Sequence, residues 1–249
     1  MRKLIKADLG RILRKKSILF SFFLMVACFV GMILYNISTF PDPAFGFAVA
    51  VSDASSWIAL ILGIVLVLNV YADDFKSTAY INVVGRGINR QKFIITKVID
   101  ALTILVGMYV CAGLVVVGLK FALGYTFSSA EVTFMVGRCL NDILLTGAGI
   151  AIASVFFYLT ENNTIGMLVF LGIDMVIPVA LINLAANPTV VKYHIDKLYL
   201  TGACSSMTSD FIMGQTGAGL LKLFLIIAVY MVAAVVASII IFRKKELDF

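Results

Sequence analysis

The sequence predicts an all-α integral membrane fold: six transmembrane helices, an N-terminal amphipathic interfacial helix, and N and C termini in the cytoplasm. Three observations predict it. Hydrophobic residues make up 61% of the chain and charged ones 14%, whereas a soluble domain carries roughly 45–50% and 25%. Apolar runs long enough to cross a bilayer recur along the chain; a helix rising about 1.5 Å per residue needs about 20 such residues for roughly 30 Å of hydrocarbon. Basic residues collect on alternate connections, which sets orientation. Helices follow because each closes its own backbone hydrogen bonds in lipid. A β-barrel would instead alternate over segments of about ten residues.

Residues 1–16 come first. On a helical wheel Ile5, Leu9, Ile12 and Leu13 share one face, and Lys3, Lys6, Arg11, Arg14 and Lys15 cover the rest. That pattern is an amphipathic helix in the cytoplasmic interface. A cleaved signal peptide would end its apolar run in small residues, and Met32-Ile33-Leu34-Tyr35-Asn36 offers none. The six spans are expected at 17–37, 54–72, 98–119, 140–159, 164–183 and 220–242. Ser128 and Glu131 have the spacing of a capping box, so the fourth helix is expected to begin near Ser129 and to bend around Gly137. The outer connection, 184–219, mixes Leu198-Tyr199-Leu200 and Phe211-Ile212-Met213 with Gly and Ser, as a re-entrant segment would. The small pairs Gly147/Ala151, Gly149/Ala153, Ala233/Ala237 and Ala234/Ser238 suit close helix packing.

Residues 1–16, 73–97 and 243–245 hold fifteen of the twenty basic residues, so these segments are assigned to the cytoplasm. The net charge of +6 is accordingly a topology signal and a pull toward anionic lipid. It does not mark a nucleic-acid binder. Chemistry for an enzyme is missing: the single histidine, His194, falls in an outer loop, and no Gly-x-Ser-x-Gly elbow occurs. The Lys-Ser pairs Lys16-Ser17 and Lys76-Ser77 follow Lys15 and Phe75, so neither completes a phosphate-binding Gly-Lys-Ser/Thr. The chain is expected to hold no cofactor and no metal. Cys28, Cys111, Cys139 and Cys204 make no CxxC, and a disulfide between the outward-facing Cys139 and Cys204 stays open.

Ionisable groups inside spans are costly and therefore informative. Asp100 follows Lys97 by three positions and Asp142 follows Arg138 by four, spacings that place each pair on one helix face. Asp174 lies mid-span with no basic residue in the core to meet it. Pro178, four residues on, cannot donate to its carbonyl. Asp174, Pro178, Asn69 and Asn141 are the candidates for a polar pathway. For Asp174 a neutral acid hydrogen-bonded to a neighbouring helix is the competing reading.

The stretch from Asp73-Asp74-Phe75-Lys76-Ser77-Thr78 to Gly87-Ile88-Asn89-Arg90-Gln91-Lys92-Phe93 and on to Thr96-Lys97 is too apolar for a plain linker. It reads as a short helix, a Gly-broken turn and the lead into the third span. Such a segment either offers a surface to a cytoplasmic partner or snorkels on the lipid face. Here the chain resembles the ABC-2 type permeases, the transmembrane subunits of ATP-binding-cassette exporters, of the lantibiotic-immunity and bacitracin-resistance kind. Their pattern has acidic residues, a Ser/Gly-Thr pair and Gly-x-Ser-Arg-x-Lys; the chain departs from it at Asn89, where Ser is usual, and carries Asp where Glu is common. The elbow helix, the long outer loop and the basic tail are also similar.

The resemblance implies one transmembrane domain, 1–249, in a bacterial cell membrane, paired with a second permease copy or a paralogue. It implies a cytoplasmic ATPase subunit that binds ATP and Mg. Phe75, Ser77, Thr78, Gly87, Ile88, Asn89 and Arg90 would form the coupling loop within 73–97. Glu161, Asn162 and Asn163 would form a second docking point. The expected activity is ATP-driven movement of a hydrophobic or amphipathic cargo such as an antimicrobial peptide. The alternatives are an ATPase-independent secondary transporter or channel, and a membrane anchor.

Overall fold

The structure is a computed structural model that describes residues 2–40, 43–72, 85, 88–178, 180, 200, 204 and 216–244. Its elements, in chain order, are α1 (Arg2–Leu13), α2 (Lys16–Thr39), α3 (Pro43–Leu66), α4 (Arg90–Ala122), α5 (Ser129–Thr160), α6 (Asn163–Leu171) and α7 (Thr216–Lys244). π-helical turns extend α3 over Val67–Ala72 and α6 over Gly172–Val176. Every regular element among the described residues is helical. Among the described residues five helices are long and apolar enough to cross a membrane, and the chain is a multi-pass membrane protein. The segment expected as the fifth of six spans is shorter where described, Asn163–Val176, and Pro178 stands near its last described residues.

The spans differ in depth within the bundle. Half or more of the best apolar window is buried in α5 (56%) and in the second span (50%), against 22% in α2 and 17% in α7. So α3 and α5 form the centre, with α2 packed on α3 and α7 packed on α5. Along α2 the buried side chains are Ile18, Met25, Phe29 and Ile33, one helical stripe. Phe20, Phe23, Leu24 and Tyr35 stand exposed on its other faces. Water would not tolerate that surface; acyl chains do.

Helix lengths depart from the sequence reading. The connection expected over 38–53 is mostly helix, because α3 starts at Pro43, where the missing proline N–H is no loss. At 33 and 32 residues, α4 and α5 reach about 50 Å, well beyond a hydrocarbon core of about 30 Å. Asn89 caps α4, its side chain accepting from the Gln91 N–H at 3.0 Å. The anticipated capping box starts α5: Ser128 Oγ accepts from the Glu131 N–H at 3.2 Å, and the Glu131 carboxylate accepts from the Ser128 N–H at 2.7 Å. From there α5 is continuous through Gly137 to Thr160.

Chain direction puts the starts of α2 and α4 and the ends of α5 and α7 together. This end also holds Arg11, Arg14, Lys15, Lys16, Arg90, Lys92, Lys97, Arg243 and Lys244, whereas Lys120 and Arg138 sit toward the other. Aromatic rings in contact brace the basic end. Tyr158 meets Tyr71 at 6.0 Å and Phe242 at 5.4 Å, and Phe242 stacks on Phe93 at 6.1 Å, joining α3, α4, α5 and α7. Small residues are buried along α5 and α7, namely Gly147, Gly149, Ala151, Ala153, Ala234 and Ser238: Gly147 faces Leu102 of α4, Gly149 faces Phe170 of α6, and the Ser154 and Ser238 hydroxyls lie 3.4 Å apart between α5 and α7. Ala233 is exposed and does not join them. None of the four cysteines forms a disulfide, which closes the question left open for Cys139 and Cys204.

Candidate functional site

Two places concentrate polar chemistry. The first is the basic end, where the lead into α4 is anchored on both sides. Toward the N-terminus, Lys97 on α4 is buried and its ammonium bonds the Asp8 carboxylate on α1. Arg11 supports the same carboxylate at 2.8 Å. Burial alone would raise the Asp8 pKa, but the positive charges of Lys97 and Arg11 outweigh it and hold the carboxyl below its ordinary 3.8. Toward the C-terminus, the Arg90 guanidinium donates to the Phe242 carbonyl at 2.9 Å and the Arg243 carbonyl at 3.2 Å, with its carbon 5.8 Å from the Phe242 ring centre. A cation at the last carbonyls of a helix meets the negative end of its dipole.

These contacts correct two expectations. Lys97 reaches across to α1 rather than pairing within its own helix, and Asp100 is buried with both carboxyl oxygens lacking a hydrogen-bond partner among the described residues. Arg90 is half-buried and bonds the end of α7. Ile88 is half-buried and Asn89 exposed. Phe75, Ser77, Thr78 and Gly87 lie outside the described residues, as does the outer segment apart from residues 200, 204 and 216–219.

The second docking candidate is a tight turn at the same end. Glu161 ends α5 in a left-handed conformation, φ 54, its N–H donating to the Phe157 carbonyl at 2.8 Å. Asn162 then caps α6, accepting from the Thr164 N–H at 2.9 Å. Glu161 and Asn162 are exposed and Asn163 half-buried. Asn69, a pathway candidate by sequence, belongs to this end instead. Its side-chain oxygen accepts from Ser17 at 2.7 Å, and its carbonyl, within the π turn, accepts from Lys15 at 2.7 Å.

The remaining pathway candidates converge on the second place, a cavity of about 340 Å³ between α3, α5 and α6. Asn141 and Asp142 line it from α5, Asp174 and Pro178 from the α6 segment, and Ser56 and Trp57 from α3. Arg138 lines it too, so a basic residue does share the space with Asp174. Its Nε stands 3.5 Å from the Asp142 carboxylate, the anticipated pair, and it also bonds Ser55 at 3.3 Å and Ser56. Asn141 donates to Asp142 at 3.0 Å. Asp174 makes no hydrogen bond or ion pair among the described residues.

The helix is distorted at this acid. Pro178 has no N–H for the Asp174 carbonyl, and the turn before it is π-wound, Ile177 donating back to Gly172. Widened turns of this kind recur beside proline and at functional sites. Sequence reasoning missed Ser56, Trp57 and Arg138 as cavity residues. Trp57, the sole tryptophan of the chain, carried a signal by its rarity; the serines carried none. Among the described residues no cluster suited to a metal ion occurs. No family model matches this chain, and no curated protein matches it either.

Proposed function

We propose that this chain is the membrane subunit of an ABC-2-like exporter, moving a hydrophobic or amphipathic cargo under the drive of a separate ATPase subunit. In this reading the basic end faces the cytoplasm, and the ATPase grips the segment before α4 and the Glu161–Asn162–Asn163 turn. The carrying observation is the double anchorage of the α4 lead: Lys97 ties it to α1 and Arg90 ties it to α7. A push on residues just before Asn89 would therefore act on the first and last helices together. Transport by rocking bundles needs that kind of rigid transmission. The departure at Asn89 fits as well: the position is a helix N-cap, where Asn and Ser serve equally.

The test is co-purification with a P-loop ATPase encoded beside the gene, and ATP-dependent transport by the pair. Ile88→Asp is the informative variant, because Arg90→Glu would also break the α7 anchor. The expected result is loss of assembly, or of the coupling between hydrolysis and transport, at unchanged thermal stability. Normal transport by Ile88→Asp removes the docking role from this segment. A second reading, an ATPase-independent transporter, draws on the unpaired Asp174 in mid-span. It predicts uptake or efflux by proteoliposomes that contain this chain alone.

A further inference from the structure

We infer that the cavity between α3, α5 and α6 is a binding subsite for a positively charged amine, an ammonium or guanidinium group carried on an apolar body. The fixed charges point to it. Arg138 offsets Asp142 across 3.5 Å, and Asp174 remains as a second carboxylate with no ion pair among the described residues. The charged group that acts on Asp174 is Asp142, a like charge. Asp142 is almost wholly buried, and its Oδ2, facing Arg138, has no hydrogen-bond partner among the described residues. An acid without an ion pair on the wall of a low-dielectric cavity is costly until a donor cation enters.

The remaining walls suit the rest of such a ligand. Trp57 is 56% exposed and lines the cavity, and an indole face attracts cations. Leu60, Leu145 and Met175 supply apolar lining. The cavity volume, about 340 Å³, is at the small end of the roughly 300–1,000 Å³ of ligand pockets, enough for a headgroup and not for a whole peptide. Asp174 lies roughly 16 Å along its helix from Asn163, so the subsite sits at membrane depth. The inference deepens the export reading by giving the cargo a charge, and it rests on that reading only for calling the ligand cargo.

The sole tryptophan provides the readout, with no ATPase needed. The full chain is placed in phosphatidylglycerol nanodiscs and titrated with a brominated alkylammonium, or with a brominated alkyl carboxylate of equal length. Bromine quenches indole on contact. The expected result is saturable quenching by the ammonium beyond the linear quenching that both probes give from lipid. In Asp174→Asn half-saturation should shift up by about tenfold, one ion pair's worth, and Asp174→Glu should retain it. Suppression by added phosphatidylethanolamine identifies the amine as a lipid headgroup; its persistence identifies a free amphiphile. Indistinguishable quenching by the two probes in the wild-type chain overturns the inference, whatever the variants do. Tight ammonium binding together with failed ATPase co-purification would sink the export reading and leave the subsite standing.

Discussion

Glu161 holds a left-handed backbone without being glycine, and that conformation costs an L-residue about 1–2 kcal/mol. The neighbouring hydrogen bonds, from Glu161 N–H to Phe157 and from Thr164 N–H to Asn162, over-determine the turn. Glu161→Gly removes the strain while loosening the unfolded chain, so thermal unfolding in detergent should show equal or higher stability, by about 1 kcal/mol at most. The same variant should reduce ATPase coupling if the side chain is retained for docking. A stability loss instead would mean that the carboxylate holds the fold. At Asp8 the argument runs through pH. A carboxyl held below its ordinary 3.8 in the folded chain contributes stability above that value and loses it as pH falls through the folded pKa. Anchorage of α1, followed by hydrogen exchange over residues 2–13, should therefore be flat from pH 7 to about pH 5 and fail only below about pH 4. Asp8→Asn should expose the same amides at pH 7, at a cost of about 2 kcal/mol for a charge-assisted bond.

Packing between elements depends on one close approach. A Cβ placed on Gly63 of α3 would fall inside the ring of Phe170 on α6, which is fully buried and also abuts Gly149 at 3.1 Å from its would-be Cβ. Gly63→Ala should cost about 1–3 kcal/mol as overpacking, and Phe170→Leu in the same chain should recover part of it; additive losses in a double-mutant cycle would deny the contact. What was legible in the sequence at this scale was local. The Ser128 capping box and the Arg138–Asp142 pair follow from spacing within one helix, and the structure has both. What was illegible depended on another element. Ser55 and Ser56, at the expected start of the second span, bond back to the Ser52 carbonyl and face Arg138. Lys97 had Asp100 at a suitable spacing and took Asp8 from α1 instead, a choice that no periodicity in α4 records. The π turn at 172–176 was announced by Pro178, and that at 67–72 by nothing comparable.

For the molecule as a whole, the decisive quantity is the charge asymmetry between its ends. Among the described residues, basic side chains crowd the end shared by the starts of α2 and α4 and the ends of α5 and α7, and few lie toward the other. Insertion favours retaining such positive segments in the cytoplasm, and an anionic inner leaflet adds about 1 kcal/mol per basic group near its surface. The ATPase reading requires this orientation, since nucleotide and its hydrolysis are cytoplasmic. Replacing the four cysteines breaks no disulfide, so single cysteines can report sidedness. Asn162 and Ser129 are both exposed and stand at opposite ends of α5. On intact cells a membrane-impermeant maleimide should label Ser129→Cys and spare Asn162→Cys, and permeabilisation should make both react. The reverse pattern would put Lys97, Arg90 and the Glu161 turn on the outer face, beyond reach of any ATP-hydrolysing partner, while leaving the amine subsite at membrane depth as it is.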